Sequence, residues 1–514
     1  MKKVFASILG VMLLCAASAP VMADVELHPL FTDNAVLQQG MPIPVWGWAD
    51  DGEKITVSIA GQTAEAVAKD GKWMVKLGAL EAGGPYEMTV QSGKTLTRTN
   101  ILIGEVWVCS GQSNMQFAVQ SSNNAEQEIK MANYPLIRLF SVPLTCSGRP
   151  QENVDAKWEL CTSETVPGFS AVAYFFGREL FKNLNVPIGL IHTSWGGSSA
   201  EAWATRETLV NNPDFKYLVE RWEGLIKESD QNWKNYIGEL EKWRKQALER
   251  EAAGERYVYP PQAPGHDNRH SQHRPAGLYN AMIAPLIPYA IQGAIWYQGE
   301  SNAGRAYQYR TLFPAMIQDW RDQWGQGDFS FLFVQLANFE AKWGGVDTWP
   351  ELREAQTMTL EMPKTGMAVT IDIGNSTDIH PRNKQDVGYR LALAARKVTY
   401  GEDNLVYSGP MYKSMKVEDG KIRLWFDCIG SGLMVPGNQP LKGFTIAGED
   451  KNFVPAGARI EDDTIVVWSQ DVKNPVAVRY AWEDDPECNL FNKQGLPASP
   501  FRTDDWPGVT VDNK

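Results

Sequence analysis

The chain is poor in the residues that staple a fold, chelate metals or bind polyanions. Its 514 residues hold six cysteines and six histidines. Five cysteines lie beyond residue 23: Cys109, Cys146, Cys161, Cys428 and Cys488. That sparse, odd set is not a disulfide framework, and its spacing does not match a metal-ligand pattern. At most two bridges are available, with Cys146 and Cys161 nearest in sequence, and a chain this long can bury enough core to need none. Positive charge is short too. Lys plus Arg total 49 against 61 Asp plus Glu, a net charge of −12, which excludes a phosphate-binding surface and so a nucleic-acid partner. No segment offers 18 uninterrupted apolar residues, so no membrane span is expected. Internal repeats and low-complexity tracts are absent. Tryptophan, by contrast, is plentiful: 19 residues, which serve either as stacking surfaces for sugars or as filler in β-rich cores.

The amino terminus reads as a secretory signal over residues 1–23. Lys2 and Lys3 precede a short apolar run from Val4 to Ala16, and Val21 and Ala23 give the small-residue cleavage pattern. A lipoprotein signal would use Cys15, but Leu14 precedes it where a small residue is expected. A secreted or periplasmic protein follows. Three units are expected after it. Residues 24–100 alternate with period two between turn signals such as Asp50-Asp51-Gly52, as in a small β-sandwich. Residues 101–400 carry near-continuous apolar runs (Ile103–Cys109, Pro187–His192, Gly293–Tyr297, Phe329–Leu336, Gly366–Ile371) separated by helical patterns. This is the α/β signature of a parallel sheet flanked by helices. A charged insertion at about 205–275, with helical spacing around Trp222, Leu225, Trp233, Tyr236, Leu240 and Trp243, reads as a helical hairpin. Residues 401–514 return to alternation and form a β-rich end.

Chemistry in an open parallel sheet sits just beyond the carboxyl ends of its strands. Gly111-Gln112-Ser113-Asn114-Met115 follows the first run and exposes a hydroxyl beside backbone N–H groups, the needs of a nucleophile and its oxyanion. Met115 stands where a nucleophile elbow would have its second Gly. A serine needs a base, and a base needs an orienting acid. Among the six histidines only His380 combines a loop after a buried run with a nearby carboxylate, Asp378. Trp296-Tyr297-Gln298-Gly299-Glu300-Ser301-Asn302 and Ser194-Trp195-Gly196-Gly197 close two further strands. His266, His270 and His273 have helical metal-site spacing, but Pro260-Pro261 and Pro275 make their segment a loop rather than a metal site. Arg269 and Arg274 in that loop are candidate contacts for a carboxylate substrate.

Taken in order, Gly-Gln-Ser-Asn-Met at 111–115, Ser-Trp-Gly-Gly at 194–197, Trp-Tyr-Gln-Gly-Glu-Ser-Asn at 296–302 and Asp-Ile-His-Pro at 378–381 resemble the SGNH/GDSL hydrolase superfamily. The resemblance is to its sialate O-acetylesterase-like branch of carbohydrate esterases and covers nearly the whole chain after residue 23. It implies an SGNH-type three-layer catalytic unit that deacetylates a sugar without metal or organic cofactor. Ser113 would be the nucleophile and His380 the base. The N–H groups of Ser113 and of Gly196 or Gly197, with the side chain of Gln298 or Asn302, would hold the oxyanion. The superfamily pattern has Asp three residues before His; here Asp378 is two before His380, so Asp378 and Glu300 both stand as the orienting acid, with Asp372 a distant third. Gln112 and Trp195 join the arginines as substrate-contact candidates, and Trp107, Trp195 and Trp296 are expected to shape the site. Trp46, Trp48 and Trp73 are expected to pack β-cores. The substrate is an acetylated carbohydrate, sialate 9-O-acetyl esters by resemblance, with acetyl xylan or another plant polysaccharide as the alternative. A non-catalytic carbohydrate-binding protein on a hydrolase scaffold is the alternative of another class. Oligomeric state is not legible.

Overall fold

The computed structural model describes residues 25–256, 259–265, 267–341 and 345–514, so the expected signal at 1–23 and His266 lie outside the described residues. The architecture is mixed α/β with several sheets. The run at Ile103–Cys109 belongs to an 18-residue strand, β1 (Lys94–Gly111), that organises the molecule. Its first half alternates between exposed and half-buried residues and pairs antiparallel with Gly83–Ser92. From Ile101 onward it is buried throughout and enters a parallel sheet. The expected boundary at 100/101 thus falls inside one unbroken strand.

The alternating segment before β1 forms two small sheets. One joins Glu26–Leu27, Ile43–Trp48 and Lys72–Leu77, and the other joins Lys54–Ile59 to Gln62–Val67 and Gly83–Ser92. Val45, Val75, Ile55, Val57 and Val90 are buried, and their apolar cluster continues into the parallel sheet.

That sheet adds β2 (Tyr134–Ser141), β3 (Trp158–Cys161), β4 (Ile188–Ser194), β5 (Gly293–Tyr297), β6 (Ser330–Val334) and β7 (Thr365–Ala368). The order is β3-β2-β4-β1-β5-β6-β7, parallel except for the edge strand β3. Register aligns the ends of the three central strands: Gly111 is paired with Ser194 on one side and Tyr297 on the other. Three motif loops therefore leave the sheet side by side.

Side-chain alternation puts Trp107 and Trp296 on opposite faces of this sheet. The helix Ala171–Leu184 covers the first with Phe176, edge-on at 5.0 Å, and Lys384–Val398 packs on that helix. The helix Ala306–Trp324 covers the second with Phe313 and Trp320, which also meet Phe331. Trp107 and Trp296 are both wholly buried, so they are core residues rather than walls of a site.

In place of a helical hairpin, the insertion holds a short helix, Arg206–Asn211, packed against one 37-residue helix, Lys216–Ala252. Asn212-Pro213 separates the two, while Gly224 and Gly238 sit inside the long helix with open space around them and no proline occurs between Lys216 and Ala252. A lone Gly costs a helix about 1 kcal/mol, which does not end it. The β-rich end has its own core of Ile422, Leu424, Ile446, Ile465, Val467 and Val478 between two antiparallel four-stranded sheets. All five described cysteines are free thiols. Cys161 lies in edge strand β3 opposite Tyr134, while Cys146 faces the carbonyl of Arg269, so the pair nearest in sequence is not bridged. Among the described residues, no helix is long and apolar enough to cross a membrane.

Candidate active site

The turn after β1 is built on a glycine. Gly111 has φ +142°, and a Cβ there would overlap the carbonyl oxygen of Tyr297. This close approach lets Gln112 N–H donate to that carbonyl at 2.9 Å. The chain then coils into the single turn Ser113–Gln116, in which Met115 and Gln116 N–H both donate to the Gln112 carbonyl. The preceding N–H groups, those of Ser113 and Asn114, have no acceptor among the described residues. Ser113 itself is half-buried. A Gly111→Ala variant should lose more than about 2 kcal/mol of stability and most activity, because the side chain forces both a strained φ and a parting of β1 from β5. Thermal melting and acetate release measure the two losses.

The Ser194 turn lies against this one. Trp195 N–H donates to the Gly111 carbonyl at 3.1 Å and Gly196 N–H to Gln116 Oε1 at 2.8 Å. A Cβ on Gly196 would stand 3.3 Å from Ser113 Cβ, so the two residues are close neighbours. Gly197 takes a left-handed φ of +74°. Gln298 and Asn302 sit behind the turn, both buried. Gln298 donates to the Ser198 carbonyl and to Asn302 Oδ1 and accepts from Tyr309. Asn302 accepts from Ala200 N–H and donates to Glu201. Both amides are thus spent on bracing the 198–201 turn.

The third segment arrives from the loop after β7. Asp378 Oδ1 accepts the His380 backbone N–H at 2.9 Å and lies 3.9 Å from His380 Nδ1, too far for a hydrogen bond but close enough for attraction. The His380 ring stacks on Phe117 at 6.5 Å. Burial and the Lys384 ammonium hold the imidazole below its ordinary value, and Asp378 opposes them. Glu300 is buried beneath Ser113's neighbour: Asn114 Nδ2 donates to Glu300 Oε1 at 2.7 Å and to the Ile379 carbonyl at 3.0 Å. Burial raises the Glu300 carboxyl. Asp372 is held by both arms of Arg390.

Ser113, Gly196, Glu300 and the Asp378–His380 loop are therefore brought to one place. The arginine candidates are already engaged. Arg269 pairs with Asp267 and Asp230, and Arg274 donates to the Arg269 carbonyl. Gln112 is buried with Oε1 turned toward Gly299 and Ser301 N–H, away from solvent, while Trp195 is half-buried. Sequence patterns alone do not single out Asn114, Gln116 and Lys384. The first two lie in or beside a quoted motif. Lys384 sits at a helix start, three residues past the Asp-Ile-His-Pro motif.

A family model described as carbohydrate esterase, sialic acid-specific acetylesterase, matches residues 103–236 and 263–397. The chain is 32% identical over 548 residues to the sialate O-acetylesterase of Mus musculus, covering 96% of this chain and 97% of that one. It is 31% identical over 516 residues to the sialate O-acetylesterase of Homo sapiens, with 90% of each covered. A solved structure of a carbohydrate acetylesterase from Xanthomonas citri is similar at 41% identity and TM-score 0.80, covering 94% of this chain and all of that one.

Proposed function

The chain belongs to the sialic acid-specific acetylesterase family of carbohydrate esterases, and from that premise we propose that it removes O-acetyl groups from sialic acid by a serine mechanism. The observation that carries the chemistry is the convergence of the Ser113 turn, the Gly196 turn and the His380 loop through Asn114, Gln116 and Glu300.

In this mechanism Ser113 Oγ attacks the acetyl carbonyl as His380 takes its proton. The tetrahedral oxyanion is met by Ser113 N–H and by the Gly196–Gly197 turn, whose Gly196 N–H, bonded to Gln116 Oε1, would have to exchange that acceptor for the oxyanion. His380 then protonates the departing sugar oxygen, and later activates the water that frees acetate from Ser113. Asp378, near His380 Nδ1, orients and steadies the imidazolium, while Glu300 braces the nucleophile turn through Asn114. Gln298 and Asn302 hold the neighbouring turn in place.

The same reading gives residues 101–400 an SGNH-type three-layer arrangement, 24–100 a β-sandwich and 401–514 a β-rich unit. Removal of 1–23 on export places the enzyme outside the cytoplasm. Acetate release from 9-O-acetyl sialic acid, compared with acetylated xylan, tests the substrate. Faster release from the sialate ester supports the reading, and preference for xylan replaces it with the polysaccharide alternative.

A further inference from the structure

Lys384 is buried at a double cost. It is fully removed from solvent, and it begins the helix Lys384–Val398, where the positive end of the dipole disfavours a cation. Burial pushes its ammonium down to about 7, with Glu300 and Asp378 opposing that shift. The side chain is nonetheless firmly placed. Nζ donates to Asn114 Oδ1 at 2.6 Å and lies over the rings of Phe117, at 5.0 Å, and Tyr297, at 5.2 Å.

The bond to Oδ1 fixes more than one distance. An asparagine amide can sit either way round, and a donor at one end dictates which end carries oxygen. With Oδ1 turned to Lys384, both amide hydrogens face the other side, where Glu300 Oε1 and the Ile379 carbonyl wait as acceptors. A flipped amide would face the ammonium with its own donors. One side chain next to Ser113 thereby joins the β5 loop, the His380 loop and the helix that follows it. Phe117, which stacks on His380, lies on this lysine as well.

Resting on the esterase reading, we infer that Lys384 is a positioning residue: through Asn114 it sets the Asp378–His380 loop against the Ser113 turn. The charged groups facing this ensemble are Asp378 beside His380 and Glu300 beside Asn114 and Lys384.

The test compares wild type with Lys384→Met, which keeps the apolar stem and removes the charge. Two readouts are needed, kcat and KM with 4-nitrophenyl acetate and the titration of the His380 ring by NMR. The variant should melt lower than wild type, since Asn114 Oδ1 loses its donor and Glu300 its neighbouring cation, so kinetics are read below its melting point. KM should stay within about twofold while kcat falls about 100-fold, the scale of a misplaced catalytic group. His380 should titrate at higher pH, because the neighbouring cation that disfavours its protonation is gone. If Lys384→Met does not fold, Asn114→Ala takes its place, with a similar fall in kcat and an unmoved His380 titration, since the lysine remains. A Lys384→Met enzyme with kcat within about threefold of wild type and an unmoved titration would overturn the inference. So would an Asn114→Ala enzyme with wild-type kcat. Failure of the esterase reading shows separately, as a wild-type protein that releases no acetate while the His380 titration still reports on Lys384.

Discussion

A Ser113→Ala variant should lose about 10,000-fold or more of its acetate release from 4-nitrophenyl acetate, with KM nearly unchanged. The oxygen is the only atom removed, and Ser113 is half-buried in a turn held by backbone bonds to Gln112 and Tyr297. Folding and substrate binding should therefore survive while the acyl-transfer route disappears. The N–H groups of Ser113 and Asn114, without an acceptor among the described residues, remain, so a small rate above that of water is expected from oxyanion stabilisation alone. Steady-state kinetics with a matched thermal melt separates this outcome from unfolding. Retention of more than about a tenth of the wild-type kcat would remove Ser113 from the mechanism.

The second large effect is expected at His380. His380→Ala should lower kcat about 1,000-fold or more and erase the acid limb of the pH profile. The sign of that limb is set by the surroundings. A general base works when neutral, and burial with Lys384 holds this imidazole below its ordinary 6.5. In wild type kcat/KM should therefore rise through a pH below 6.5 and then level off. Asp378 is the group that favours the protonated ring, so Asp378→Asn should move the limb lower still. A wild-type limb above 6.5, or one that survives in His380→Ala, would point to a different base.

Legibility from sequence is uneven, for physical reasons. Strand positions in the parallel sheet are readable because strands buried on both faces must be apolar throughout, as at Gly293–Tyr297. The motif loops can be placed at strand ends, but their adjacency cannot, since it depends on the register that pairs Gly111 with Ser194 and Tyr297. The aromatic stretch Trp222–Trp243 reads as a hairpin yet lies in one helix, because aromatic spacing marks a helix face without saying how many helices carry it. Only the lack of a breaker across Lys216–Ala252 decides that. Trp296 lies within a site motif yet faces the core, because alternation turns it away from the face that carries Tyr297. Lys384 is invisible for the opposite reason. A lysine at a helix start reads as solvated surface, and only the tertiary fold shows it buried against Asn114.

The claim that a covalent acetyl group passes through Ser113 is open to one direct observation. Wild-type enzyme mixed with 4-nitrophenyl acetate, quenched in acid within milliseconds and digested, should yield the Ser113-bearing peptide heavier by one acetyl group. The Ser113→Ala protein should yield none. Acetate released with no acetylated peptide at any quench time, or with the acetyl group on another residue, would contradict the account.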